Sequence, residues 1–405
     1  MSSAKECFYS IQNASSSLNF NKTSCDVDVS KRYSLWFQPS NAITVNVNAD
    51  INISNNLYDY AIKWWETSNK FPNIFNNNAL IDIFYSSGNY AQSAILIDKQ
   101  RINILTNSGT IRSRKSWTDS TALYNYFGTI DTLNNTTTGI LGYANIEPTG
   151  ATSYTAIRNY QGYIGTINND GAIYTISNEF YSTISKIYNT NTGSLNNNNT
   201  KTDGGAIANY ATATIGSIIN EGYIRGKVGQ GKSHGIRNQS KISLIENLGK
   251  IESYSSTSFD ISNVNDGSIG TLINSQGFAT SDPLTLTGNL PTNYYVHIDS
   301  TTDYGQLSVT SGSGNINFGI TEDSVIGVPT ANYTTHSSAA TLNPLASTPY
   351  KIEATGKDIT VIANNDWTVT GPLHNILVEQ AKSFDLTINA GITAKNEKGS
   401  IAGAT

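Results

Sequence analysis

Hydrophobic and polar positions return in a fixed order along the middle half of this chain. The template of a unit is a small residue, Ile or Leu, any residue and Asn, followed after a turn by Ile-x-x-[Ile/Leu]-x-Asn and then by Gly-x-[Ile/Leu]. Seven units follow this template, and their first hydrophobic positions are Ile95, Leu123, Ile157, Ile176, Ile207, Ile236 and Ile261. Self-similarity with a period of a few tens of residues predicts a solenoid.

Two columns of Asn accompany the hydrophobic positions. An Asn lies two residues after the third hydrophobic position of every unit: Asn107, Asn135, Asn169, Asn189, Asn220, Asn247 and Asn274. Residues two apart on a strand point to the same side, so these Asn face inward with the Ile residues. Because a buried amide is costly without partners, we expect them to stack from coil to coil as an Asn ladder. A second Asn column is missing only from the first unit and consists of Asn125, Asn159, Asn178, Asn209, Asn238 and Asn263.

The composition of the units favours strands over helices, since Asn, Gly, Thr and β-branched Ile all lower helix stability. The three-residue step between the second and third hydrophobic positions predicts a corner there, and Gly165, Gly216 and Gly270 stand in it in three units. Short strands that pair in parallel with the coils above and below give an all-β, right-handed parallel β-helix. The first hydrophobic positions lie 19 to 34 residues apart, so the longer units carry loop excursions.

We divide the chain into three parts of one continuous solenoid. Residues 1–93 form an N-terminal cap and the first coils, residues 94–280 form the seven-unit repeat region, and residues 281–405 form less regular C-terminal coils. Residues 57–75 are rich in Tyr, Trp and Phe, with helical spacing up to Thr67 and a stop signal at Pro72. Two interpretations stay open for this stretch: a short helix that covers the end of the solenoid, or an exposed aromatic surface that binds sugars or proteins.

Charge and cysteine content narrow the class of partner. Only 14% of the 405 residues are charged and the net charge is -5, which argues against nucleic acid because its partners present a concentrated positive face. No apolar run reaches the roughly 18 residues of a membrane helix, so we expect no membrane insertion. Cys7 and Cys25 lie close together in the sequence. They form a disulfide in the N-terminal cap if the protein is secreted, or two free thiols otherwise.

Catalytic and metal-binding motifs are weak. Residues 226–233 match the phosphate-binding pattern G-x-x-x-x-G-K-[ST], and residues 231–235 match the nucleophile pattern G-x-S-x-G. Both patterns need a following helix, whereas here the next coil begins at Ile236. The four His residues share no ligand-like spacing and the carboxylates are scattered. We therefore predict no enzymatic activity, no metal and no cofactor.

Candidate contact residues combine aromatic rings or positive charge with a predicted exposed position. The loop 112–121 is the most basic stretch of the chain and suits acidic glycans or lipid head groups, unless it is only a solvated loop. Its candidate residues are Arg112, Arg114, Lys115 and Trp117. Trp64 and Trp65 of the aromatic stretch complete the predicted binding positions.

The coil template over residues 94–279 and the stretch that begins Asp303-Tyr-Gly-Gln-Leu resemble the passenger domains of autotransporters, which are secreted by the type V route. The resemblance implies display at the outer surface of a Gram-negative bacterium and a role as an adhesin in host-cell attachment, autoaggregation or biofilm. The implied partner is a host cell-surface glycan or protein, or the same protein on a neighbouring cell. The alternative is a β-helix enzyme that processes polysaccharides, a lyase or glycosidase of the tailspike kind.

Overall fold

The structure is a computed structural model. It describes residues 9–11, 17–20, 33–37, 42–54, 60–65, 73–85, 92–115, 120–142, 154–197, 204–226, 232–254, 256–277, 282–300, 303–313 and 317–321, and six short strands between residues 351 and 402. Within these residues the chain is all-β, without a helix. Most strands belong to three long parallel sheets, here named A, B and C.

Each sheet takes one strand from successive coils, and neighbouring strands are parallel throughout. Sheet A consists of β1 (Tyr9–Ile11), β3 (Tyr33–Phe37), β6 (Tyr60–Trp65), β9 (Gln92–Asp98), β12 (Ser120–Tyr126), β15 (Tyr154–Tyr160), β18 (Ile176–Glu179), β21 (Gly204–Asn209), β24 (Ser233–Asn238), β27 (Ile261–Asn263), β29 (Leu284–Asn289) and β33 (Leu307–Ser313). Sheet B consists of β2 (Leu18–Phe20), β4 (Thr44–Val47), β7 (Asn73–Asn77), β10 (Arg101–Asn107), β13 (Thr129–Asn135), β16 (Tyr163–Asn169), β19 (Thr183–Asn189), β22 (Thr214–Asn220), β25 (Lys241–Asn247), β28 (Ser268–Asn274), β30 (Asn293–Val296) and β34 (Asn317–Ile320). Sheet C consists of β5 (Ile51–Ser54), β8 (Leu80–Tyr85), β11 (Thr110–Lys115), β14 (Ile140–Leu141), β17 (Ala172–Tyr174), β20 (Ser194–Asn196), β23 (Tyr223–Arg225) and β26 (Lys250–Glu252).

The strands of consecutive coils pair in register, as a parallel β-helix requires. The pairing of β15 with β18, for example, places Ile157 beside Ile176 and Asn159 beside Asn178. Sheets A and B each contain twelve strands, so the described solenoid has five coils in addition to the seven that match the sequence template. At about 4.8 Å between strands, the eleven steps cover about 53 Å.

The core is a stack of Ile and Leu side chains that project inward from all three sheets. In the coil of β15, β16 and β17, Ile157, Ile164, Ile167 and Ile173 are fully buried. A β-branched side chain suits these positions because it is stiff in an extended backbone and packs well on a pleated surface. The same four positions are filled by Ile or Leu in the next two coils, so the core is continuous along the solenoid.

The second and third hydrophobic columns lie on one strand, so the predicted corner is a bend rather than a turn. In β16, Ile164 and Ile167 are both buried although they are three residues apart. In the pairing of β16 with β13, Gly165 and Asp131 are not paired with each other, although the residues before and after them are. This local irregularity turns both hydrophobic side chains inward. A Cβ atom at Gly165 would lie 2.3 Å from the carbonyl oxygen of Asp131.

The described residues of the aromatic stretch, 60–65 and 73–75, lie in strands, so the predicted short helix is wrong. β6 pairs in parallel with β3 and with β9, which satisfies its backbone on both sides. The physical reason is the column that Trp64 occupies. Phe37, Trp64 and Ile97 stand in register with Asn125 of the second Asn column. Large apolar side chains therefore fill, in the first coils, the interior position that Asn fills later.

Beyond the repeat region, sheets A and B continue through β29, β30, β33 and β34. Between them lies a small antiparallel pair, β31 (Ile298–Ser300) with β32 (Asp303–Tyr304). The remaining described strands form three antiparallel pairs: β35 (Lys351–Glu353) with β39 (Thr393–Lys395), β36 (Val361–Ile362) with β38 (Asp385–Leu386), and β37 (Leu377–Val378) with β40 (Ile401–Ala402).

Candidate functional site

The two predicted Trp residues lie on opposite sides of sheet A. Trp64 is 1% exposed, and its ring packs against Phe37 and Phe75 at centroid distances of 4.6 and 6.3 Å. It belongs to the core and is not available to a partner. Trp65 is the next residue on the strand and therefore faces outward. Its ring is half-buried, and Lys63 Nζ lies 5.2 Å from the ring centroid.

Arg112 and Arg114 lie on strand β11 of sheet C and not in a loop, since this strand extends to Lys115. Both guanidinium groups bind the buried carboxylate of Asp82, with Arg112 Nη2 2.8 Å from Oδ2 and Arg114 Nε 2.9 Å from Oδ1. These ion pairs tie the two Arg residues to the side of the solenoid. Trp117, Cys7, Cys25 and the side chain of Lys115 lie outside the described residues.

The seven Asn residues predicted to stack form one ladder in the interior. From Asn107 to Asn247, each side-chain Nδ2 donates to Oδ1 of the Asn in the next coil, at 2.7–3.0 Å. Asn77 extends the ladder by one coil, since its Nδ2 donates to Asn107 Oδ1 at 2.8 Å. The second column forms a ladder of the same kind from Asn125 to Asn263. All these residues are at most 1% exposed, so they stabilise the solenoid and offer no binding surface.

Ser233 and His234 of the nucleophile-like pattern are buried on β24 and have local partners. Ser233 Oγ accepts a hydrogen bond from Asn197 Nδ2 at 2.9 Å, and His234 Nδ1 lies 3.1 Å from the backbone nitrogen of Phe259. The residues after this pattern continue the strand. In the part of the chain that the structure describes, no three His, Cys, Asp or Glu side chains are grouped so that they could hold a metal ion. The same residues include no helix of the length and apolarity that crossing a membrane requires.

The outer side of sheet A brings aromatic and charged side chains together. Side chains alternate between the two sides of a strand, so the neighbours of the buried second-column residues point outward. One outward column consists of Lys63, Leu96, Tyr124 and Arg158, and the next consists of Trp65, Asp98, Tyr126, Tyr160 and Glu179. We call these two columns, with the corner residues Lys99, Phe127, Phe180 and Tyr181, the aromatic face.

The corner between sheets A and B holds its aromatic residues in an unusual conformation. Phe127 and Phe180 follow a second-ladder Asn by two positions and have φ angles of 52° and 48°, and Tyr181 has a φ of 58°. A left-handed backbone costs an L-residue about 1–2 kcal/mol, and a bulky residue there is an outlier. The same corner position holds Lys99, Gln161 and Asn265 in other coils. Phe127, Phe180 and Tyr181 are 42%, 52% and 74% exposed.

Rings from three consecutive coils form a continuous array. The centroids of Tyr126 and Tyr160 are 5.6 Å apart, and those of Tyr160 and Phe180 are 4.9 Å apart. Phe127 packs edge-on against Tyr126 at 4.5 Å, and its backbone nitrogen donates to the carbonyl oxygen of Tyr160 at 3.0 Å. The spacing of the rings follows the strand spacing, so the backbone of the solenoid fixes the array.

A guanidinium–carboxylate pair lies within the array. The Arg158 guanidinium lies over the rings of Tyr124 and Tyr160, at 5.2 and 5.8 Å from their centroids. It also donates to Glu179 Oε2 at 2.9 Å. Burial raises the pKa of Tyr124 to about 12, so its hydroxyl keeps its proton at neutral pH and remains a hydrogen-bond donor.

Two Lys residues and one Asp form the N-terminal end of the aromatic face. Lys63 Nζ lies near the Trp65 ring, and Lys99 Nζ lies 6.0 Å from the centroid of Phe127. Asp98 stands between them in register with Trp65. Its Oδ1 is buried without a hydrogen-bond partner among the described residues, and burial raises its pKa although Lys63 and Lys99 oppose this shift.

Sequence reasoning found Trp65 but missed the rest of the aromatic face. A signal was present, because aromatic residues stand within three positions after the second-column Asn in four units, at 126–127, 160, 180–181 and 210. No protein-family model, no curated protein and no solved structure matches this chain.

Proposed function

We propose that this protein is an adhesin that binds through the aromatic face of its β-helix. The observation that carries the proposal is the exposure of Phe127, Phe180 and Tyr181 in left-handed backbone conformations. Strained, bulky residues that are costly for folding are typical of functional sites. Exposed aromatic rings beside polar groups are also the side chains that dominate recognition surfaces.

The rigidity of the solenoid supports an adhesive role. The strands of the aromatic face lie inside sheet A and have hydrogen-bonded neighbours on both sides, so little conformational freedom is lost when a partner binds. Many copies displayed on one surface would add avidity to weak contacts. The resemblance to autotransporter passengers extends the proposal to display at the outer surface of a Gram-negative bacterium, where protease treatment of intact cells would remove the protein.

Attachment of coated beads tests the proposal. Beads carrying the full chain are counted on cultured epithelial cells, together with beads carrying F127N/F180N. Asn is suited to these positions, since Asn265 has a φ of 57° at the same corner. Loss of the ring contacts costs about 0.5–1.5 kcal/mol. Because Asn tolerates the left-handed backbone better than Phe, relief of backbone strain offsets this loss and the variant keeps its fold. We expect attachment to fall at least about tenfold.

The control is Tyr188→Ser, which removes an aromatic ring from the outer side of sheet B. Tyr188 OH donates to Glu221 at 2.9 Å, away from the aromatic face. Attachment by Y188S should match the wild type. Equal attachment by wild type and F127N/F180N would contradict an adhesive role for this face, and release of reducing ends from a polysaccharide by the protein would support the enzymatic alternative.

A further inference from the structure

Two ammonium groups on the aromatic face, those of Lys63 and Lys99, have no ion-pair partner in the part of the chain that the structure describes. Lys63 Nζ lies 5.7 Å from the ring of Tyr60 and 5.2 Å from that of Trp65, and Lys99 Nζ lies 6.0 Å from that of Phe127. Among the described residues, ion pairs engage Arg101, Arg112, Arg114, Arg158, Arg225 and Lys250, but not these two Lys residues. Both charges therefore remain available to an anionic ligand.

The local charge balance is opposite to that of the whole chain. On the aromatic face Arg158 and Glu179 neutralise each other, which leaves Lys63 and Lys99 against Asp98. The described residues of the face therefore sum to one positive charge (two minus one), whereas the chain has a net charge of -5. A positive surface on an acidic protein attracts anions to that place and repels them elsewhere.

The charges and rings follow one another from coil to coil in a line along the solenoid, which Lys63 joins through its Nζ beside the Trp65 ring. Lys63, Lys99, Phe127, Tyr160 and Phe180 come from five consecutive coils of sheet A. At about 4.8 Å for each coil, the line extends over about 19 Å. A single sugar is too short for this line, whereas a linear polymer of several sugars can contact all five positions.

We propose that the aromatic face binds a linear acidic polysaccharide, with Lys63 and Lys99 contacting its carboxylate or sulfate groups. The rings of Phe127, Tyr160 and Phe180 pack against the apolar faces of successive sugars. This inference rests on the proposed adhesive function and names its ligand class. A pyranose suits the site because it combines a flat apolar face with hydroxyl groups, and Gln161 and the Arg158–Glu179 pair lie beside the rings as hydrogen-bonding partners.

The test measures binding of the full chain to heparin and hyaluronan oligosaccharides, with dextran as the uncharged polysaccharide and duplex DNA as a polyanion without pyranose rings. We expect binding to an acidic oligosaccharide, weakening as salt is added, and weaker binding to dextran and DNA. K63Q/K99Q removes two charges, each worth about fivefold at contact distance in water, so affinity should fall about 25-fold at low salt. D98N removes the opposing charge and should raise affinity about fivefold.

The matched control is Lys186→Gln. Lys186 Nζ lies 5.1 Å from the ring of Tyr188, so this variant removes a similar cation from sheet B and should leave affinity unchanged. Equal affinity for dextran, unchanged affinity of K63Q/K99Q, or DNA binding that equals oligosaccharide binding would each overturn the inference. Loss of cell attachment in F127N/F180N but not in K63Q/K99Q would overturn the ligand class while the adhesive function stands. Loss in neither variant would overturn both.

Discussion

At the scale of residues, each ladder Asn divides its amide hydrogens between the next coil and nearby carbonyl groups. Asn159 Nδ2, for example, lies 2.9 Å from Asn178 Oδ1 and 3.1 Å from the carbonyl oxygen of Thr183. The ladder is directional, because every Nδ2 donates toward the C-terminal coils. The first acceptor therefore needs another donor, and Asn125 Oδ1 is buried without a described one.

The neighbouring Gln100 is the most costly polar residue of this region. It is 1% exposed, and both Nε2 and Oε1 are buried without a described hydrogen-bond partner. Replacing it by Met keeps its shape and removes the unpaired amide. We expect Q100M to raise the free energy of unfolding by about 1–3 kcal/mol, measured by urea denaturation.

Replacing Gln276 by Met should have the opposite effect on stability, because this Gln has hydrogen-bond partners. It is 5% exposed, and its Oε1 accepts from the backbone nitrogen of Ile251 at 2.8 Å and from Asn247 Nδ2 at 3.2 Å. Q276M takes the acceptor away from the backbone N–H of Ile251 and from one amide hydrogen of Asn247, so it should lower stability by about 1–3 kcal/mol. If Q100M is destabilising as well, then the Gln100 amide is hydrogen-bonded in solution and our account of it is wrong.

At the scale of elements, the ladders explain why the strands pair in one register. A shift by one residue would turn the Asn and Ile columns outward and leave the amides without partners. In the coils of β3, β6 and β9 the second column is apolar, and Phe37, Trp64 and Ile97 stack on one another. Register there depends on packing of large side chains, whereas from β12 onward it depends on hydrogen bonds.

Two adjacent Asn residues of β16 allow the stability contribution of the interior ladder to be compared with that of a hydrogen bond on the outer side. Asn169 Oδ1 accepts from Asn135 at 2.8 Å, and its Nδ2 donates to Asn189 at 2.7 Å, in the interior. Asn168 Nδ2 donates to Asn134 at 2.9 Å on the outer side. We expect N169A to lower the free energy of unfolding by about 2–4 kcal/mol and N168A by less than about 1 kcal/mol. Similar losses in both variants would show that the interior ladder has no special weight.

At the scale of the whole molecule, stability depends on pH through a buried carboxyl group near the end of the repeat region. Asp260 is 4% exposed, and its Oδ2 accepts from the backbone nitrogen of Thr285 at 2.8 Å. Burial raises its pKa from 3.8 to about 6. Between these values the folded state binds more protons than the unfolded state, so this group makes stability fall as pH rises from about 4 to about 6 and then level off.

The pH dependence can be isolated with D260N, which keeps an acceptor for Thr285 but does not titrate. We expect wild type to lose up to about 3 kcal/mol relative to D260N between pH 4 and pH 6, measured from denaturation curves at several pH values. D266N removes an exposed Asp and should run parallel to wild type. Parallel curves for wild type and D260N would contradict the raised pKa.

The fold was largely accessible to sequence reasoning, whereas the candidate site was not. Repetition of Ile and Asn predicted the parallel β-helix and the residues of both ladders. The helical spacing of aromatic residues around Trp64 led to the wrong prediction of a helix. Trp64 instead lies on a strand and fills the interior position that Asn holds in later coils. Arg112 and Arg114 were expected in a loop that contacts a partner, but they lie on β11, where Asp82 of the previous coil binds both.

The sequence by itself determined the solenoid, because stacking coil on coil requires the same kind of side chain at the same interior position of every repeat. Only the tertiary structure decided which side chains come together on the aromatic face. Tyr126, Tyr160 and Phe180 are far apart in a chain whose units vary in length, and register alone makes them neighbours. The left-handed backbone that exposes Phe127, Phe180 and Tyr181 likewise follows from how the corners pack, since no local propensity of Phe or Tyr favours that conformation.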